Sequence, residues 1–180
     1  MKKLIFLFAL VVLVGGCATV TPKYNPLSET EKPEIAVCIF DTKDAEGGYK
    51  GNTDFGKMIA EFTAGILQQS NYKATVVPMD SDTSMFAYVI KGKFSQIEDG
   101  NWGKRFWVGM GAGSTRMTVL IKVIRVSDKV ELLKDKFSNT CTWISGQESS
   151  LQKITVNLAR ETAERFIKAI TNKQNQKEDW

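Results

Sequence analysis

The side chains able to do chemistry are few, and one type is missing. The sequence contains no histidine, which removes Ser-His-Asp triads, Cys-His pairs and every imidazole metal site together. Its three cysteines, Cys17, Cys38 and Cys141, are too few for a disulfide framework. Carboxylates cluster twice, at Asp80 and Asp82 after Pro78 and at Glu98 and Asp99 before Gly100. Two such groups roughly 5–9.5 Å apart would suit a hydrolase. Both sets, however, sit in turn sequence, where Asp bonds its own backbone, and neither offers enough oxygen ligands for a hard cation. The run Gly109, Met110, Gly111, Ala112, Gly113 resembles a phosphate loop in glycine content only. It lacks Gly-Lys-Ser/Thr, and from Met117 the chain alternates as a strand where such a loop would open a helix. Gly109, Gly111 and Gly113 are therefore read as positions of unusual backbone angle or close approach. No metal, cofactor or catalytic residue is expected.

Binding groups are better represented. Trp102, Lys104, Arg105, Phe106 and Trp107 gather aromatic and cationic side chains within seven residues. That mixture suits a membrane interface, a glycan or a protein hot spot; the competing role is to cover a sheet edge or face. Strand alternation places Lys91, Lys93, Lys122, Lys134 and Lys136 on one wet face. Such a patch suits anionic lipid headgroups, lipopolysaccharide phosphates or an acidic envelope protein, against the plainer role of a solvated, edge-protecting face. A slip of one residue in register would disperse it.

The N-terminus bears on location. Lys2 and Lys3 precede Leu4–Val14, an uncharged run of 11 residues, which has the length of a signal h-region and falls short of the roughly 20 residues of a membrane span. Gly15, Gly16 and Cys17 follow. Val14-Gly15-Gly16-Cys17 resembles the lipobox of bacterial lipoproteins, with Val where Leu is commoner. The resemblance implies cleavage between Gly16 and Cys17, acylation of Cys17, and, with Ala18 rather than Asp after it, export to the outer membrane of a Gram-negative host. Two or three acyl chains anchor firmly, since each buried methylene adds about 0.8 kcal/mol. Without Lys2 and Lys3 the mature chain carries 22 basic and 20 acidic side chains, which is not the balance of a nucleic-acid binder. Cys38 and Cys141, both within predicted strands, are expected to be small buried residues rather than a disulfide.

Segments 1–16 and 17–33 are thus a signal peptide and a lipidated, Pro-containing tether. The tether reaches at most about 50 Å extended and about 22 Å as a coil. Strands are predicted over 34–41, 72–77, 86–98, 117–126 and 130–144. The first is apolar on both faces and so central. The last two form a hairpin about Asp128. Phe86, Tyr88, Ile90 and Phe94 are predicted to share one face. A helix is predicted over 53–69, with Phe55, Ile59, Phe62 and Ile66 inward and Gly56, Ala60 and Ala64 alongside. A second spans 149–171, with Ser149 and Gln152 as a capping box, leaving 172–180 as a polar tail. The order β-α-β-β-β-β-α gives one α+β domain over 34–171: a mixed, mostly antiparallel sheet of about five strands with two helices on one face.

Val108 to Ser114, followed by a long hairpin and a closing amphipathic helix, resembles a family of uncharacterised bacterial lipoproteins with a domain of unknown function. The resemblance implies a periplasmic α/β domain and brings no catalytic residues. The expected role is non-catalytic binding or support in the cell envelope. The alternatives are a subunit of an oligomeric assembly or secretion complex, and a periplasmic hydrolase using paired carboxylates.

Overall fold

Alternating apolar residues in the three longer strand segments must hide one face, and they do so in a single sheet with the two shorter strands. The computed structural model describes residues 32–47, 51–98, 114–141 and 147–175. In chain order these form β1 (Glu34–Cys38), α1 (Phe55–Gln69), β2 (Lys73–Val77), β3 (Tyr88–Glu98), β4 (Thr115–Arg125), β5 (Val130–Cys141) and α2 (Gln147–Asn175). The spatial order is β2-β1-β3-β4-β5. β1 is parallel to both neighbours, and β3, β4 and β5 form an antiparallel meander. The interior place of β1 follows from its apolar residues on both sides. Ile35 and Val37 face the helices, while Ala36 and Cys38 join Val89 on the other side. The fold is α+β with the element order expected.

Both helices pack on the same face, α1 over β1 and β2, and α2 over β4 and β5 and against α1. Asp54 caps α1, its side chain accepting a hydrogen bond from the Lys57 amide at 2.9 Å. The buried arc of α1 contains Phe55, Ile59 and the stripe Gly56, Ala60 and Ala64 as predicted, and departs from the prediction in gaining Thr63 and Leu67 and losing Phe62. It runs through Phe55, Gly56, Ile59, Ala60, Thr63, Ala64 and Leu67, whereas Phe62 is 41% exposed. Because α1 must nest against both the sheet and α2, small residues line the contact and one of its two phenylalanines, Phe62, is turned outward while Phe55 stays buried. The second helix begins at Gln147 and continues to Asn175. Ser149 is therefore inside its first turn rather than the cap, and residues 172–175 of the expected tail are helical.

Two bulges adjust strand parity. Ser95 is extra between Phe94 and Gln96, which brings Ile97 to the core side, and Leu132 is extra opposite Val123 and Ile124. The first lies where residues 41–46 run beside β3, bonding Asp41 to Gly92 and Phe94, and Glu46 to Ser95 and Ile97. Phe86 lies before β3, in a turn closed by its amide on the Thr83 carbonyl. It packs against Ala36, Cys38 and Val89, on the face opposite Ile90 and Phe94, because the period-two pattern does not extend through the turn. The β2–β3 connection thereby covers part of the helix-free face. That is the side a right-handed crossover requires when its direction across the sheet reverses.

Among the described residues, Cys38 and Cys141 are both free and buried. Cys38 is on β1 facing away from the helices, and Cys141 ends β5 in the helix-side core. With β3 and β4 between them they are separated by about 14 Å of sheet, far beyond disulfide reach. The β4–β5 turn lacks a glycine, and Lys129 takes the left-handed conformation itself, at φ 57°. Asp128 holds the turn by accepting from the Arg125 guanidinium at 2.6 Å and from the Val130 amide at 3.2 Å. The guanidinium lowers its carboxyl below the ordinary value.

Candidate functional site

The register that buries Val119, Ile121 and Val123 turns every second residue of the meander outward. Lys91 of β3 pairs with Lys122 of β4, which pairs with Lys134 of β5. Two residues along, Lys93 pairs with Leu120, which pairs with Lys136. The five lysines therefore share one face, in two rows across three strands. Strands lie about 4.8 Å apart, and like-facing residues of one strand about 6.8 Å apart. Lys91, Lys93, Lys134 and Lys136 are exposed and Lys122 is half-buried. The expected patch is real because neither bulge falls between these positions.

Partners neutralise only part of it. Lys93 pairs with Asp44 at 3.2 Å and Lys122 with Glu131 at 3.8 Å. Among the described residues, Lys91, Lys134 and Lys136 have no carboxylate within ion-pair distance. Beyond the lysines, the Thr118 hydroxyl donates to Gln96 and the Gln96 amide to Glu98. The Arg116 guanidinium donates to Thr140. Toward β1 the face becomes apolar. There burial pushes the Cys38 thiol above its ordinary value, and the nearby Lys91 charge offsets this only in part.

Two concavities lie away from this face. A groove of about 680 Å³ between β5 and the later part of α2 is lined by Leu132, Leu133, Asp135, Glu161, Arg165 and Lys168, among others. Arg165 is among them, bonding Asp135 and Glu161, with its guanidinium 4.5 Å from the Phe137 ring centroid. The second, of about 220 Å³, is formed by Thr42, Ala45, Gly47, Gly51, Thr53, Phe55 and Ile97. Among the described residues no three Cys, Asp or Glu side chains cluster as metal ligands. None of the helices among them is long and apolar enough to cross a membrane.

The other candidate residues are not brought together. Asp80 and Asp82 lie in the connection after β2, where Asp82 accepts from the Ser84 amide and hydroxyl. Those bonds lower its carboxyl below the ordinary value, which suits a turn and not a proton donor. Glu98 ends β3, seven residues beyond Lys91 and hence about 23 Å further along the sheet than the end of β1. Asp99, Gly16, Cys17, Trp102, Lys104, Arg105, Phe106, Trp107, Gly109, Gly111 and Gly113 lie outside the described residues. The Arg165 cluster was missed in the sequence; the signal was Asp135, an acidic residue among the inward positions Leu133 and Phe137.

A family model described as a domain of unknown function, DUF4410, matches residues 49–177, well over half of the chain. The chain belongs to the DUF4410 family. The matched segment starts after β1, so this DUF4410 chain carries its interior strand ahead of the family model. No curated protein matches it. Among solved structures, it is similar to PelC from Paraburkholderia phytofirmans, described as a dodecamer. That match has 15% identity and a TM-score of 0.51, covering 76% of this chain and 90% of that one. The protein XCC0632 from Xanthomonas campestris is 10% identical, with a TM-score of 0.54 and coverage of 85% and 93%. The protein CT253 from Chlamydia trachomatis is 10% identical, with a TM-score of 0.55 and coverage of 76% and 96%. At these identities the likeness is one of fold.

Proposed function

We propose that this DUF4410 protein is a lipoprotein of the outer membrane, anchored through Cys17 on its periplasmic face, and a non-catalytic binding or support module of the cell envelope. The observation that carries the binding role is the lysine lattice on the face that both helices leave open. The basic n-region, the short apolar run and Val14-Gly15-Gly16-Cys17 support the anchor. The lipid sets location, the tether over 17–33 sets reach, and the open face makes contact, joined by the aromatic and basic residues of 102–107. The test compares wild type with Cys17→Ala in fractionated Gram-negative cells, with mass spectrometry of the N-terminal peptide. Wild type is expected in the outer membrane with an acylated Cys17, and the variant is expected to leave it. A variant retained there overturns the reading.

A second reading, a subunit of an oligomeric envelope assembly, is favoured by the fold shared with PelC, described as a dodecamer. It predicts a multiple of the chain mass in gentle detergent by native mass spectrometry; a monomer at all concentrations removes it.

A further inference from the structure

We propose that the lysine face of β3, β4 and β5 docks on a bilayer surface rich in anionic phospholipid. This rests on the reading of the chain as an anchored envelope module and names what its open face meets.

The choice among anionic partners follows from the chemistry of the face. Its dense core is built from lysine. An ammonium is a point charge without the planar fork with which arginine reads a carboxylate or phosphate, so the face senses charge density rather than one ligand's shape. Neither groove includes any of the five lysines; the charge is spread over a sheet surface, which suits an extended plane. A protein partner fits less well, because lysine is depleted from protein interfaces, where aromatic residues and arginine dominate. Half-buried Leu120 and Ile124 lie on the same face. Long lysine stems can lie over such apolar ground while their heads reach phosphates. Each lysine near an anionic membrane strengthens binding about fivefold. Asp44 and Glu131 reduce that at Lys93 and Lys122, which leaves Lys91, Lys134 and Lys136 as the main contributors. Like charges directly opposite on adjacent strands oppose folding, and a lipid phosphate laid between the rows would relieve that repulsion.

The experiment reads the lysines themselves. The full protein, purified from membranes, is reconstituted in vesicles of phosphatidylcholine alone or of phosphatidylcholine with phosphatidylglycerol. It is treated briefly with an amine-acetylating reagent, and labelling is read residue by residue by mass spectrometry. Lys57, Lys153 and Lys168, exposed on the helices, are internal controls. Labelling of Lys91, Lys134 and Lys136 is expected to fall by about fivefold or more in the anionic vesicles only. It should recover in high salt, while the controls stay unchanged. The double variant Lys91→Glu with Lys134→Glu, checked for folding by circular dichroism, is expected to lose the protection at Lys93, Lys122 and Lys136. Equal labelling in both vesicle types, or equal protection of both lysine sets, overturns the proposal. So does protection by soluble polyglutamate with none by vesicles, which would assign the face to an acidic protein. A chain without acyl mass on its N-terminal peptide is instead a failure of the anchor. Such a chain is added to preformed vesicles, and the same labelling decides the docking face.

Discussion

Phe40 illustrates how single residues hold this fold. It is buried at 2% exposure beyond the end of β1, and two glycines make room for it. A Cβ on Gly92 would come within 2.2 Å of its ring, and one on Gly56 within 2.1 Å of its carbonyl oxygen. Gly92→Ala is therefore expected to destabilise by about 1–3 kcal/mol, as overpacking does, read as a lower urea midpoint with unchanged slope. Cys38 gives a prediction in pH. Its folded thiol titrates above the ordinary 9.0 because it is buried. The neutral form is thus favoured by folding; that contribution is complete below the ordinary value and is lost as pH rises above it. Native protein should resist alkylation at Cys38 at pH 8 and react on unfolding, by peptide mass spectrometry. Rapid native labelling would show an accessible thiolate.

At the scale of elements, α1 separates hydrophobicity from burial. Leu67 is fully buried, whereas Phe62 is 41% exposed. Leu67→Ala should cost about 2–5 kcal/mol, and Phe62→Ser about 0.5 kcal/mol or less; thermal melts of the two variants should differ plainly. The contrast also marks what the sequence could tell. Periodicity located all seven elements, since 3.6 and 2 are distinct repeats, and alternation on the meander placed the five lysines on one face. Within α1 the small-residue stripe Gly56, Ala60 and Ala64 was legible, whereas the outward turn of Phe62 was not, because it depends on the contact of Thr63 with the second helix. Phe86 and Ile97 were misassigned or missed because their parity depends on a turn and on the bulge at Ser95. The path of residues 41–46 along β3 accompanies that bulge, and no window of local sequence contains both. Asp135 stands out among inward positions, but its partner Arg165, thirty residues away on another element, was opaque.

As a whole, the molecule has two unlike sides. One is covered by both helices and holds most of the apolar core; the other carries no helix among the described residues and is basic over the meander and apolar toward β1. The basic half lowers stability, because Lys122 stands directly between Lys91 and Lys134. Lys134→Gln removes one like-charge pair and breaks no ion pair among the described residues. It should raise stability by about 0.2–1 kcal/mol, less in high salt, by thermal melting at two ionic strengths. A lower melting temperature would mean that Lys134 makes a favourable contact. The same variant should weaken protection on anionic vesicles, so stability and docking would move in opposite directions.

The interior position of β1 has a mechanical consequence. Any pull through the N-terminal residues enters the domain at Glu34 and runs lengthwise along a strand held on both sides, by five register pairs to β2 and three to β3. Tension so applied shears the ladders, straining their hydrogen bonds together instead of peeling them one after another. A domain pulled at its N-terminal end and held at its far face would then resist extraction at its first strand, although that strand has only five residues.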